Sequence, residues 1–309
     1  MRGARNIAAM MAPFPYFGGK SRAAALVWEA LGNVDNFIEP FAGSLAVLLA
    51  RPPPPLPTTE TVGDADCWIA NFWRATKAAP ALVAEHADWP VNEADYEARL
   101  AWFKAREPSV REQVLADPEW YDAKIAGWWV WGQSTAILGN WPRSRGIHIG
   151  PDYGVHARTR DVLAEMRALA QRLRRVRVVC GDFERTLATA HIERMGVTGV
   201  FLDPPYATER TAGCYATDDM ATVSQRSRDW AIANGGDVRV VLAGYNDEHV
   251  MPGDWRCVEW RAVGGMDRIK GEGRGLRNRE RERLWLSPAC LSTPQRSLLS
   301  LLDASAATK

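Results

Sequence analysis

The ten residues Gly199-Val-Phe-Leu-Asp-Pro-Pro-Tyr-Ala-Thr208 carry more information than any other stretch of this chain. Val200-Phe201-Leu202 is a short apolar run of the kind that forms a buried strand. It stops at Asp203-Pro204-Pro205-Tyr206, a stiff turn with a carboxylate at its mouth and an aromatic ring just beyond. Proline has no N–H, so this backbone offers acceptors only. Asp203 can accept one N–H of an exocyclic amine, the Pro204 carbonyl can accept the other, and Tyr206 can stack on the ring that bears the amine. Held this way, the amine turns its nitrogen lone pair toward an electrophile. A purely architectural reading competes, because Asp-Pro-Pro also ends strands well and Tyr is common at strand ends.

On either side of this stretch the chain alternates. Asn36-Phe-Ile-Glu39 reads as a strand, Pro40–Ser44 as a loop and Leu45–Ala50 as a helix. The run Pro52-Pro-Pro-Pro-Leu-Pro57 suits an extended connector. Thr61–Asp64 reads as the next strand, with a helix over about 65–79. From about Pro80 to Arg158 the pattern is helical and irregular, and a helix over about 159–174 follows. Strands are then expected at Val176–Cys180, Val197–Leu202, Val238–Ala243, Arg256–Val263 and Arg283–Ser287. Seven strands alternating with helices and interrupted once imply an open α/β sheet carrying an inserted helical domain. The expected division is a discontinuous core, 1–79 and 176–290, an insert, 80–175, and a tail, 291–309. Ligands of such sheets sit at the carboxyl ends of the strands, which here carry Glu39, Asp64, Asp182 and Asp203. An acidic rim suits hydroxyls, amines and a cationic centre, and suits a polyphosphate poorly.

Bulk properties narrow the classes. The 309 residues carry a net charge of only +1, so any nucleic-acid surface must come from local segregation of charge. No run of eighteen apolar residues is present, which argues against a membrane span. The five cysteines are widely spaced, without Cys-x-x-Cys, and form no metal pattern with the five histidines. A reduced, metal-free, cytoplasmic protein is expected. Of fourteen tryptophans, seven fall between residues 89 and 141, read chiefly as an aromatic core, with one or two available to stack on bases. Gly19-Lys20-Ser21 lacks the leading glycine of a phosphate-binding loop, since Phe14 stands there, and no nicotinamide fingerprint follows the first strand.

In ordered motifs outside residues 80–175, the chain resembles DNA adenine-N6 methyltransferases of the Dam type. Pro15-Tyr-Phe-Gly-Gly-Lys20 resembles their N-terminal cofactor-wrapping motif, Phe37–Gly43 the loop beneath the methionine part of the cofactor, and Gly63-Asp64 the strand end that binds the ribose. Gly181-Asp-Phe183 resembles the adenine-binding pair, and Asp203-Pro-Pro-Tyr206 the catalytic motif. The resemblance implies a Rossmann-like, seven-stranded methyltransferase sheet with an inserted, mainly helical target-recognition domain. It implies S-adenosylmethionine as cofactor and double-stranded DNA as partner, in a monomer or weak dimer, with a restriction endonuclease as a candidate companion.

Asp203, Pro204, Pro205 and Tyr206 would then be catalytic. Tyr16, Gly18, Gly19, Lys20, Glu39, Phe41, Gly43, Asp64, Asp182 and Phe183 would bind the cofactor, with Lys20 on its carboxylate, Asp182 on its amino group and Phe183 on its ring. Each has a bland alternative: Lys20 as a solvated lysine, Asp64 as a helix cap, Phe183 as core. One departure is Leu45, where the family's Phe-x-Gly-x-Gly loop has its second glycine.

Adenine in a duplex must be flipped out to reach such a pocket, at a cost of a few kcal/mol. Phosphate contacts would help offset that. Arg143, Arg145, Arg158 and Arg160 lie in one basic stretch, and Arg143 or Arg145 is the expected reader of the major groove. Residues 261–283 hold eight Lys or Arg against four Asp or Glu. Tyr215 is expected to steady the flipped nucleotide, with Asn246 a weaker pocket candidate. The rival readings are methyl transfer to RNA or to a protein glutamine amide, and a catalytically inactive DNA-binding regulator.

Overall fold

The computed structural model describes residues 10, 12, 14–15, 20–53, 58–136, 141–143, 146–148, 153–155, 161–190, 192–206, 220–260 and 281–292. They form an α/β fold around one seven-stranded mixed sheet, compatible with a Rossmann-like architecture. Its strands are β1 (Asn36–Glu39), β2 (Thr59–Asp64), β3 (Val176–Cys180), β4 (Thr198–Leu202), β5 (Arg239–Tyr245), β6 (Arg256–Glu259) and β7 (Glu282–Leu286). The spatial order is β3-β2-β1-β4-β5-β7-β6. The first five strands run parallel, and β7 lies antiparallel between β5 and β6. From β1 the chain winds outward to β3, then crosses back to β4 on the other side of β1. The reversal of strand order therefore falls between β1 and β4, where open α/β sheets form their ligand crevice.

Alternating side chains make the two faces. Phe37, Phe201, Val241, Leu284 and Leu286 point into one core, and Ile38, Val200, Leu202, Val240, Leu242 and Trp285 into the other. Every residue of β1 and β4 is buried, as central parallel strands require. The second face is covered by α8 (Phe183–Thr189) and α9 (Met220–Asn234). The first carries α1 (Ala24–Leu31), α2 (Ala46–Leu49) and α3 (Cys67–Ala78).

The described residues between 80 and 175 include the helices α4 (Pro80–Ala87), α5 (Glu93–Ala116), α6 (Ala123–Thr135) and α7 (Val162–Leu173). Their starts follow from capping: Pro80 opens α4, and Asn92, Asp122 and Asp161 accept a backbone N–H at the starts of α5, α6 and α7. These helices share a contiguous core with α3 and the first face of the sheet. Trp68, Trp73, Trp129, Trp131 and Trp141 are fully buried in it, while Trp89 is exposed. Gly132 makes the close packing of α6 feasible, since a Cβ there would lie 2.4 Å from the Trp141 ring.

Several expected bounds shift: β5 runs from Arg239 to Tyr245 rather than Val238 to Ala243, β6 ends at Glu259, and β7 is Glu282–Leu286. Two shifts have a clear local cause. The helix expected from Leu45 to Ala50 is only Ala46–Leu49, because Leu45 adopts the left-handed conformation (φ 55°). The strand expected from Thr61 starts at Thr59, because Glu60 is neutralised inside by Arg51 and Arg172 at 2.9 and 2.6 Å.

Candidate active site

All four acidic strand ends lie along the carboxyl edge of the sheet, and each is held by its own local chemistry. Glu39 closes β1 and is only 3% exposed. Its Oε2 accepts the Leu48 N–H at 3.1 Å, pinning α2 to the strand. Burial pushes this carboxyl well above the usual range, the neighbouring Asp203 charge adds to the rise, and the Leu48 N–H opposes it.

Asp64 closes β2 and organises the loop that follows β1. Its Oδ2 accepts the Gly43 N–H at 2.9 Å, and its Oδ1 accepts the Asp66 N–H at 2.8 Å. The Gly43 carbonyl in turn accepts the Trp73 indole N–H at 3.0 Å. Burial, with a contribution from Asp66, raises the Asp64 carboxyl to about 7. The helix cap is Asp66, which accepts the Trp68 N–H at 2.9 Å. Asp64 is thus free of the capping duty that sequence left open.

Beyond β3, Asp182 caps α8 by accepting the Glu184 N–H, and both its oxygens also accept from Arg226 of α9, at 3.0 and 3.1 Å. Phe183 is buried, stacked on Phe41 with ring centroids 5.5 Å apart, and the Arg226 guanidinium lies 5.1 Å from its ring centre. That spacing leaves no room for a third ring between Phe41 and Phe183, so Phe183 is a floor of the core. Phe41 remains half-buried.

Asp203 follows β4 at the switch point. Its Oδ1 receives the Lys20 ammonium at 2.9 Å and lies 3.3 Å from the Tyr206 hydroxyl. The hydrogen bonds seen among the described residues all go to Oδ1, and the side chain is 20% exposed. One oxygen is therefore anchored and the other is an open acceptor. Burial lifts the Asp203 carboxyl, and the Lys20 charge pulls against that rise. Lys20 sits on Asp203 rather than in solvent, above the rings of Tyr206 (5.0 Å) and Trp260 (5.9 Å). Tyr206 is itself only 6% exposed, with Tyr245 packed edge-on at 4.5 Å. Its hydroxyl donates to Glu282 Oε2 at 2.9 Å. Pro204 and Pro205 are buried.

Arg143 is turned inward. It donates to Asp66 Oδ2 at 2.6 Å and reaches Glu107 at 3.4 Å, tying the 141–143 turn to the start of α3. The guanidinium expected to read bases is here paired with the buried cap carboxylate of α3. Asn246 is exposed after β5, accepting from Arg281 at 3.4 Å. Tyr16, Gly18, Gly19, Arg145, Arg158, Arg160 and Tyr215 lie outside the described residues, as do 261–280.

Glu282, Tyr245 and Arg226 were not singled out by sequence. Glu282 reads there as one charge in a basic stretch. The antiparallel register pairs it with Tyr245, at the end of β5, and so delivers it to the edge. No helix among the described residues is long and apolar enough to cross a membrane, and no group of three or more His, Cys, Asp or Glu among them could hold a metal ion. Comparison with protein-family models and with curated proteins finds no match for the chain.

Proposed function

We propose that this chain methylates adenine at N6 in DNA, with S-adenosylmethionine as the methyl source. The observation that carries the reading is Asp203: a carboxylate at the switch point of the sheet, anchored through Oδ1 and open at Oδ2. A seven-stranded sheet with its last strand reversed supports the methyltransferase architecture that the sequence motifs suggest.

The edge suits the cofactor at its ribose end. Each Asp64 oxygen holds one backbone N–H and keeps lone-pair capacity for a hydroxyl. The buried Glu39 and the half-buried Asp64 favour a ligand bearing positive charge. At the adenine end the fit needs a rearrangement, since Arg226 occupies Asp182, and the ring would lie on the outer side of Phe41. When bound, the cofactor supplies an electrophilic methyl group on a sulfonium.

This chain's own residues do the remainder. Asp203 Oδ2 accepts one N–H of the flipped adenine amine and the Pro204 carbonyl accepts the other. Two acceptors favour a pyramidal nitrogen and stabilise the positive charge that develops on it. Fixing the amine in line supplies much of the rest. Tyr206 walls the pocket; stacking of a base on its ring requires Lys20 to withdraw from it. Helices α4–α7 are assigned as the target-recognition insert.

The test is to incubate purified protein with unmethylated DNA and S-adenosylmethionine, then to analyse the nucleosides by mass. N6-methyladenine is expected, and should vanish with Asp203→Ala. Methyl groups arriving in cytosine, in RNA only or in protein would reject the assignment.

A further inference from the structure

The Tyr206 hydroxyl has one proton and, among the described residues, the carboxylates of Glu282 and Asp203 beside it. Its oxygen lies 2.9 Å from Glu282 Oε2 and 3.3 Å from Asp203 Oδ1. A single O–H makes one good hydrogen bond at a time, and the shorter, better contact is to Glu282. Proton density given to Asp203 would weaken it as an acceptor, and Asp203 already receives Lys20 at 2.9 Å.

We infer that Glu282 is a positioning residue for the reaction: it draws the Tyr206 hydroxyl proton to itself and so keeps Asp203 available to accept the substrate amine. This rests on the reading of Asp203 as the amine acceptor given above.

The placement of Glu282 supports the role. It is 7% exposed at the first position of β7, directly opposite Tyr245, and among the described residues its carboxylate hydrogen-bonds only Tyr206. A buried carboxylate with so little satisfaction is costly to a fold. Burial raises the Glu282 carboxyl, with the Asp203 charge adding and the Lys20 charge opposing. Sheet pairing alone needs only the backbone at this position, so a valine or threonine would serve β7 better. The side chain also fixes the ring: held at its hydroxyl by Glu282 and at its edge by Tyr245, Tyr206 keeps one orientation beside Asp203.

Two measurements test this on the full chain. The first is single-turnover methylation of unmethylated DNA at saturating cofactor, with the apparent affinity for DNA fitted separately. Glu282→Ala should slow the transfer step about tenfold, the scale of one hydrogen bond to a charged group. Glu282→Gln, which keeps an acceptor, should stay within about threefold of wild type. With Glu282 gone, the Tyr206 hydroxyl turns to Asp203. Adding Tyr206→Phe to Glu282→Ala should therefore slow transfer no further, or restore part of it. A merely structural role for Glu282 gives losses that multiply in the double variant, and that result overturns the inference.

The second measurement needs no activity. With tyrosine labelled with carbon-13 at Cζ, the resonance missing from Tyr206→Phe identifies Tyr206 among the seven tyrosines. It should move in Glu282→Ala and move less in Glu282→Gln; an unmoved resonance overturns the inference. Should Glu282→Ala not fold, Glu282→Leu, closer in volume, takes its place in both measurements. A wild-type protein that leaves DNA unmodified removes the proposed reaction and this role together. An active wild type with multiplying losses removes only the role of Glu282.

Discussion

Leu45 stands where the resembled family has glycine, and it adopts φ 55°, ψ 28°. The left-handed region costs a residue with a Cβ about 1–2 kcal/mol, and glycine essentially nothing. Leu45 is also fully buried in the main core. Truncating a buried leucine to alanine destabilises by about 2–5 kcal/mol through lost transfer energy and the cavity left behind. Leu45→Ala incurs that loss and keeps the backbone strain. Leu45→Gly incurs the same loss, slightly enlarged, and releases the strain. At ordinary helix or strand positions alanine is the better residue by roughly 0.5–1 kcal/mol. Here the order should invert, with the glycine variant more stable than the alanine variant by about 1 kcal/mol and both below wild type. Urea unfolding followed by tryptophan fluorescence reads this as a midpoint difference of about 0.3 M, for a slope of about 3 kcal/mol per M. An alanine variant equal to or more stable than the glycine variant would refute the argument, and with it the view that the site conformation dictates glycine in this loop.

Two further outcomes follow from the geometry. The Asp64 carboxyl rises from 3.8 to about 7 on folding, so between these values the folded state binds more protons than the unfolded one. Stability contributed by this group is present below pH about 4, falls as pH rises toward about 7 and is absent above it, by up to about 4 kcal/mol; Asp64→Asn should make the decline of the unfolding midpoint between pH 5 and 8 shallower, and an unchanged decline would contradict the assignment. Arg143→Gln should lower stability by about 1–3 kcal/mol by stranding the buried Asp66 carboxylate, while leaving the salt dependence of DNA binding unchanged; a slope smaller by about one would instead mark Arg143 as a phosphate contact.

The sequence made the acidic strand ends legible because each carboxylate closes a short strand-like run or follows it within two residues, a pattern that survives without tertiary information. Glu39, Asp64, Asp182 and Asp203 all lie on the expected edge. Features set by distant partners were not legible. Glu60 lengthens β2 only because Arg51 and Arg172, from α2's end and α7, neutralise it. Arg143 turns inward because Asp66 waits 77 residues earlier in the chain. Glu282 reaches the site through a strand register that no local pattern encodes. Leu45 misleads in another way: its side chain favours the helix interior, while the loop fixed by Gly43 and Asp64 demands a left-handed residue there.

Electrostatics join these pieces into one site. Glu39, Asp64, Asp203 and Glu282 all have carboxyls lifted by burial, and Asp203 raises both Glu39 and Glu282. Lys20 is set against Asp203, Glu282 and Glu248, so one ammonium faces three carboxylates, while Glu39 lies in the field of Asp203. Carboxylates gathered this closely repel one another unless protons or cations intervene. A sulfonium or a developing ammonium entering the edge would relieve that repulsion, whereas a phosphate would deepen it. The same field explains why Lys20 stays charged though only 4% exposed. An edge so built discriminates by sign of charge before any shape is read, and it favours the charge pattern of methyl transfer to an amine over that of phosphoryl or hydride chemistry.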